Sequence, residues 1–292
     1  MKYWIILLLS GSLVAACEKD INFDLRESEP VMVVEARIEQ GEFPVVILTK
    51  SLNYYSVLDL SLLSGSFIRN AEVSIISDSV EVQLKEMEQP LFPGISFYFY
   101  SIDTAGGLPS LIGEYQKSYK LRIRNGDKVH EAVTTIPALN VVPDSVWFEK
   151  APQNPDTLKR IMMVRITDPP GIGNYFRYKT KVNQEPFYPY ENSVFSDEVT
   201  DGKVFTGRFS RGFDPNRPPL RDENYFRKGD TVTLQISNID KATYTFWNTW
   251  EFSRQSIGNP FSQPNKVIGN ISGGALGAFC GYAHWYRTFV LP

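Results

Sequence analysis

The sequence predicts a mainly β protein. An N-terminal β-sandwich covers residues 31–137, and a second β-rich domain covers 138–292 and carries one helix near 241–255. Three observations lead there. Short runs with two-residue hydrophobic alternation recur along the chain, tight-turn signals separate them, and aromatic residues, which favour strands, make up 13% of the sequence.

Val34, Ala36 and Ile38 alternate with Glu35, Arg37 and Glu39, the pattern of a strand with one face buried and one wet. Pro44 to Thr49 is a continuous apolar run and reads as a strand covered on both faces. Asn70 to Ile76 and Val80 to Leu84 flank a turn at Asp78-Ser79. Tyr119, Leu121 and Ile123 alternate with Lys120, Arg122 and Arg124, and Asn125-Gly126-Asp127 turns the chain into Val129 to Ile136.

Pro137 to Pro143 marks the domain boundary. Strands resume at 145–149 and 161–167, and Asp168-Pro-Pro-Gly171 makes a turn. Phe176, Tyr178, Thr180 and Val182 then form a buried face, with Arg177, Lys179 and Lys181 on the wet side. Val232, Leu234 and Ile236 form one face of a later strand. Asp240 can cap a helix in which Tyr244, Trp247 and Trp250 fall near one side, a stripe that reads as packing against the second sheet. Gly258-Asn259-Pro260 ends that helix at the latest, and the run from Gly273 to Phe289 supplies closing strands with glycines at bulges or close contacts.

The hydrophobic content of 42% is that of a globular chain. The net charge is -3, and -4 without Lys2, so no basic excess points to nucleic acid. No run beyond the N-terminus approaches membrane-spanning length. His130 and His284 are the only histidines, too few with Cys17 and Cys280 for a clustered zinc site. No metal and no cofactor are expected. Cys280 sits in apolar Gly277-Ala-Phe-Cys-Gly281 and reads as a buried, inert thiol.

The first residues say most about location. Lys2, the apolar run Tyr3 to Leu9 and the small residues Ala15-Ala16 describe a secretory signal over 1–16. Cys17 directly after them resembles the lipobox of bacterial lipoproteins, which implies that Cys17 is lipidated and begins the mature chain. The acidic stretch 17–30 reads as a tether between lipid and folded body.

The order of several short motifs resembles one bacterial lipoprotein family. They are Val33-Val34-Glu35-Ala36, Leu48-Thr49-Lys50-Ser51, Ile68-Arg-Asn-Ala-Glu-Val73, Tyr119-Lys-Leu, Thr134-Thr-Ile-Pro137, Ser196-Asp-Glu-Val-Thr-Asp-Gly202, Gly258-Asn-Pro-Phe-Ser262 and Asn270-Ile-Ser-Gly-Gly274. Together they resemble the domain of unknown function 4249 family across essentially the whole mature chain. The resemblance implies an outer-membrane lipoprotein, periplasmic or surface-exposed, that accompanies a TonB-dependent transporter. It brings no catalytic residues. The first domain also resembles small Ig-like or prealbumin-like sandwiches, an analogy of fold alone.

The expected function is therefore non-enzymatic: ligand capture or stabilisation of a transporter complex. A surface hydrolase acting on glycans or peptides and a structural or adhesive module are the alternatives. For direct binding of a glycan or peptide, the aromatic loop Phe187, Tyr188 and Tyr190 is the first candidate, and Tyr54 with Tyr55 the second. All five also suit plain packing. A Cys280–His284 dyad is disfavoured because four residues along a strand span about 13 Å. Glu86 with Glu88, and Asp197 with Glu198 and Asp201, are the carboxylate groups to inspect for glycosidase or calcium chemistry. Asp-Ser/Thr pairs at 78, 103, 144, 156 and 230 resemble bacterial O-glycosylation sites and also suit turns that start strands.

Overall fold

The computed structural model describes residues 29–52, 60–104, 111–257 and 265–291. The expected signal 1–16, Cys17, most of the tether, Tyr54 and Tyr55 lie outside the described residues.

The chain is mainly β. Its strands are β1 (Met32–Glu39), β2 (Val45–Lys50), β3 (Glu72–Ser77), β4 (Val80–Phe92), β5 (Ile95–Ser101), β6 (Lys117–Asn125), β7 (Lys128–Ile136), β8 (Pro143–Lys150), β9 (Lys159–Thr167), β10 (Tyr175–Val182), β11 (Val194–Ser196), β12 (Val204–Phe209), β13 (Phe226–Arg227), β14 (Thr231–Ile239) and β15 (Leu276–Val290). Among the described residues two helices join them, α1 (Leu60–Gly65) and α2 (Lys241–Gln255).

Eleven strands form one sheet in the order β11-β10-β14-β15-β1-β2-β5-β4-β3-β6-β7, and a smaller sheet gathers β8, β12 and β13 around β9. The large sheet curls so that β7 packs back across β14 and β15. Gly281 permits this crossing, since a Cβ there would press on the Thr135 carbonyl.

Two apolar cores lie on one face of the large sheet. The first holds Val34, Ala36 and Ile38 of β1, Val73 and Ile75 of β3, and Tyr119, Leu121 and Ile123 of β6, all nearly inaccessible. The second holds Tyr178 and Val182 of β10 and Val232, Leu234 and Ile236 of β14 against Met162, Val164 and Ile166 of β9. On β15, Phe279 and Ala283 enter the first core while Trp285 and Phe289 pack against the second. The expected boundary after residue 137 nearly separates the cores, but the sheet runs through it, because β15 pairs in parallel with β1.

Two sequence readings need correction. The run Pro44 to Thr49 is not covered on both faces: Val46 and Leu48 are buried, while Val45, Ile47 and Thr49 keep partial exposure. The Arg177 face of β10 is not wet either: Arg177 is only 2% exposed, because α2 lies over it. The helix itself forms where expected. Asp240 caps it, with Oδ1 accepting from the Thr243 N–H at 2.8 Å.

Edge strand β7 is closed by side chains and a neighbouring segment. Asp240 Oδ2 accepts from the Thr135 N–H at 2.8 Å, Ser272 N–H donates to the Glu131 carbonyl, and Asn270 Nδ2 donates to the Val133 carbonyl. A sheet edge left open would invite pairing with another chain.

Candidate functional site

Strand geometry decides what lies opposite the cores. Alternation puts Val34, Ala36 and Ile38 on the core side, so Glu35, Arg37 and Glu39 face the other way. The same rule turns Arg177 and Lys179 of β10, Gln235 and Ser237 of β14, and Ala278, Cys280, Tyr282, His284 and Tyr286 of β15 to that side. Helix α2 walls it with Phe246, Trp247 and Trp250, and Phe187 stands at the rim. The result is a cleft of about 630 Å³, within the size range of small-molecule sites.

A polar chain crosses its floor. His284 Nε2 lies 3.0 Å from Glu39 Oε2, and His284 Nδ1 lies 2.8 Å from Ser237 Oγ. Burial pushes the Glu39 carboxyl up, but the hydrogen bond and charge of His284, then Arg37 and Lys179, outweigh it and hold the group below its ordinary range. An ionised Glu39 only accepts, so Nε2 donates to it. Gln235 Nε2 donates to Tyr286 OH at 2.8 Å. The other end of that amide, Gln235 Oε1, is buried with no partner among the described residues.

A second network fixes the helical wall. Arg177 Nε donates to Ser193 Oγ at 3.0 Å, and Ser193 donates to Glu251 through both its N–H and its hydroxyl. The Arg177 guanidinium stacks on Trp247 at 3.5 Å from the ring centre and lies 3.8 Å from Glu251. Burial pushes Arg177 down and Glu251 up from their ordinary values, the latter against the pull of Ser193 and Arg177. Trp247 Nε1 donates to Tyr282 OH at 2.7 Å, which ties α2 to β15.

The aromatic loop divides. Phe187 reaches the cleft and approaches Tyr286 at 5.8 Å between ring centres. Tyr188 instead exchanges two backbone hydrogen bonds with Thr180, and Tyr190 packs on the second core against Phe213. Within the helix stripe, Tyr244 stacks on Tyr175 at 4.9 Å, whereas Trp247 and Trp250 face the cleft.

Other expected groups have structural work. Cys280 and His284 share the cleft face, yet the ring nitrogens of His284 are taken by Glu39, Ser237 and Gln235. Glu86 accepts from Arg69, the Asn70 N–H and Tyr100, and Glu88 from Tyr98, all outside the cleft. Carboxylate oxygens of Asp168, Asp197 and Asp201 lie within 4.8 Å of one another. Each binds loop amides: Asp197 those of Gly173 and Asn174, Asp201 that of Gly171, and Asp168 that of Gly202.

Sequence reasoning passed over Glu39, Arg177, Lys179, Gln235 and Ser237. Their signal was present as polar residues alternating with apolar ones on three strands. It looked like a solvated face because nothing local says that a helix will cover it.

No curated protein matches this chain at a meaningful level. Among the described residues, no helix is long and apolar enough to cross a membrane. A family model does match, over residues 18–285, and its description is a domain of unknown function. That match takes in β1, β10, β14 and α2 whole and β15 as far as Trp285, and the chain belongs to the domain of unknown function 4249 family.

Proposed function

We propose that this chain is a lipid-anchored, non-enzymatic protein of the cell envelope that captures a ligand in the cleft beneath α2 and works beside an outer-membrane TonB-dependent transporter. The cleft carries the capture part of this reading. Four strands and a helix build it, and two half-buried tryptophans and Phe187 line it beside polar groups. The lipobox-like Cys17 and the acidic tether support anchoring. The transporter partner rests on the family resemblance.

Native purification of the tagged protein in mild detergent tests the partner. A transporter barrel at near-equal amount is the expected result, and arrival alone overturns the accessory role. Cys17→Ala tests the anchor through loss of fatty-acid labelling; unchanged labelling refutes it. Trp250→Ala tests the cleft, because ligand carried through purification is lost from that variant if the cleft holds it.

One observation favours a serine hydrolase as the second reading: Ser237, His284 and Glu39 form a hydrogen-bonded chain. Two facts weigh against it. Ser237 is only 3% exposed, and its strand is paired on both sides, which commits its amides to ladders and leaves none free as oxyanion donors. Labelling of Ser237 by a fluorophosphonate probe would revive this reading.

A further inference from the structure

We propose that the cleft recognises an acidic sugar, with the ligand carboxylate on the Lys179 ammonium, a ring hydroxyl donating to Gln235 Oε1, and a sugar face against Trp250. This rests on the ligand-capture reading and names its substrate class.

Two unspent polar groups lie side by side in the floor. Lys179 and Gln235 are directly paired across β10 and β14. Among the described residues, Lys179 has no carboxylate within ion-pair distance, although Arg37 and Arg177 nearby have theirs in Glu39 and Glu251. Gln235 is 6% exposed, and its Oε1 accepts from nothing. A buried acceptor without a donor is costly, and a ligand O–H relieves it. A cation and an acceptor in adjacent positions suit a carboxylate with a neighbouring hydroxyl.

The walls favour a sugar over a peptide. Peptide capture commonly adds a strand to a free sheet edge. Here β1, β15, β14 and β10 are all interior strands, so the floor offers side chains only. Trp250 is half-buried beside it, and an indole face suits the C–H face of a pyranose.

The charge state agrees with an anion site. Burial pushes Lys179 down to about 8, with Arg177 and Arg37 adding to the shift and Glu39 and Glu35 opposing it. Of the elements around the cleft, β1 turns Glu35, Arg37 and Glu39 to it, β10 turns Arg177, β15 turns Cys280, Tyr282, His284 and Tyr286, and α2 adds Glu251 behind Arg177. A bound carboxylate favours the charged ammonium, so binding is strongest below about pH 8 and weakens as pH rises through it.

The test is titration of the full mature chain, in detergent, with galacturonic acid oligomers and with their methyl esters, which keep the ring and lose the charge. The readouts are heat and tryptophan fluorescence. Binding of the acid, with the ester weaker by about tenfold or more, is expected. Lys179→Gln, checked for folding by circular dichroism, is expected to bring acid and ester to equal affinity. Equal affinity of acid and ester for the unmutated chain overturns the acidic-sugar inference, and needs no variant. If uronates fail while a neutral sugar or a peptide perturbs fluorescence in the unmutated chain but not in Trp250→Ala, the inference falls and capture stands. If glycan and peptide arrays give no binder and nothing small co-purifies, both fall.

Discussion

Asp240 binds Thr135 across 105 residues of sequence, its Oδ2 accepting from the Thr135 N–H at 2.8 Å and from the Thr134 hydroxyl at 2.9 Å. Its Oδ1 meanwhile caps α2 through Thr243. One carboxylate thus starts the helix that walls the cleft and closes the edge of β7.

Removing it should cost both functions together. We expect Asp240→Ala to destabilise the chain by about 2–4 kcal/mol, a lost cap plus an edge amide left without its partner. Asp240→Asn, whose single oxygen can keep either the cap or the β7 bond but not both, should fall between the unmutated chain and Asp240→Ala, losing about 1–2 kcal/mol. Urea denaturation of the three proteins checks the ranking, and equal midpoints would refute the dual role.

The Arg177–Ser193–Glu251 network makes a second prediction. Glu251 is 4% exposed and Arg177 2%. Glu251→Ala leaves a buried guanidinium short of its carboxylate and should cost about 3–5 kcal/mol. The double variant Arg177→Met with Glu251→Leu should recover much of that loss, because it removes both charges. Thermal melts decide this; a double variant no better than the single one would show that the network matters through shape rather than charge.

Acid stability should depend on Glu86. Burial raises its pKa, but the Asn70 amide, Arg69 and Tyr100 together hold it below 4.5. A carboxyl depressed in the folded state contributes stability above its unfolded value, and that contribution is lost as pH falls through the folded value. Melting temperature should therefore fall below about pH 4.5, and Glu86→Gln should make the fall shallower. An unchanged acid slope in the variant would assign the loss to other carboxylates. Glu251, which burial raises, works with the opposite sign and favours the fold as pH drops.

The Cys280 thiol should be unreactive in the native chain. It is 3% exposed, and burial pushes it up to about 12. Thiolate is the reactive form. A chromogenic disulfide reagent at pH 8 should titrate Cys280 only after denaturant is added; rapid labelling of the native chain would mean that α2 opens readily.

Local pattern foretold much of this fold. The buried trio Val34, Ala36 and Ile38, the pair of strands joined at Gly126, and the Asp240 cap all follow from two-residue alternation, turn chemistry and capping. Long-range pairing left no such trace. Nothing near Val33 announces Leu276 as its neighbour, and nothing near Arg177 announces the indole of Trp247. The site was hidden for that reason: its polar residues carry the periodicity of a wet face, and only the return of the helix removes them from water. Phe187 could be read from its aromatic loop, but its separation from Tyr188 and Tyr190 depended on the Thr180 pairing.

The parallel partnership of β1 and β15 also governs the order in which the molecule can come together. A ribosome delivers β1 first, and the strand that must lie beside it emerges some 240 residues later. Until then β1 has only β2 on one flank, so the growing chain exposes an unmatched strand until β15 arrives, the kind of delayed closure that slows folding. A chain that stops before Leu276 loses an interior strand of the large sheet rather than a fringe. It leaves three strands on one side of the gap and seven on the other, and no floor for a ligand to rest on.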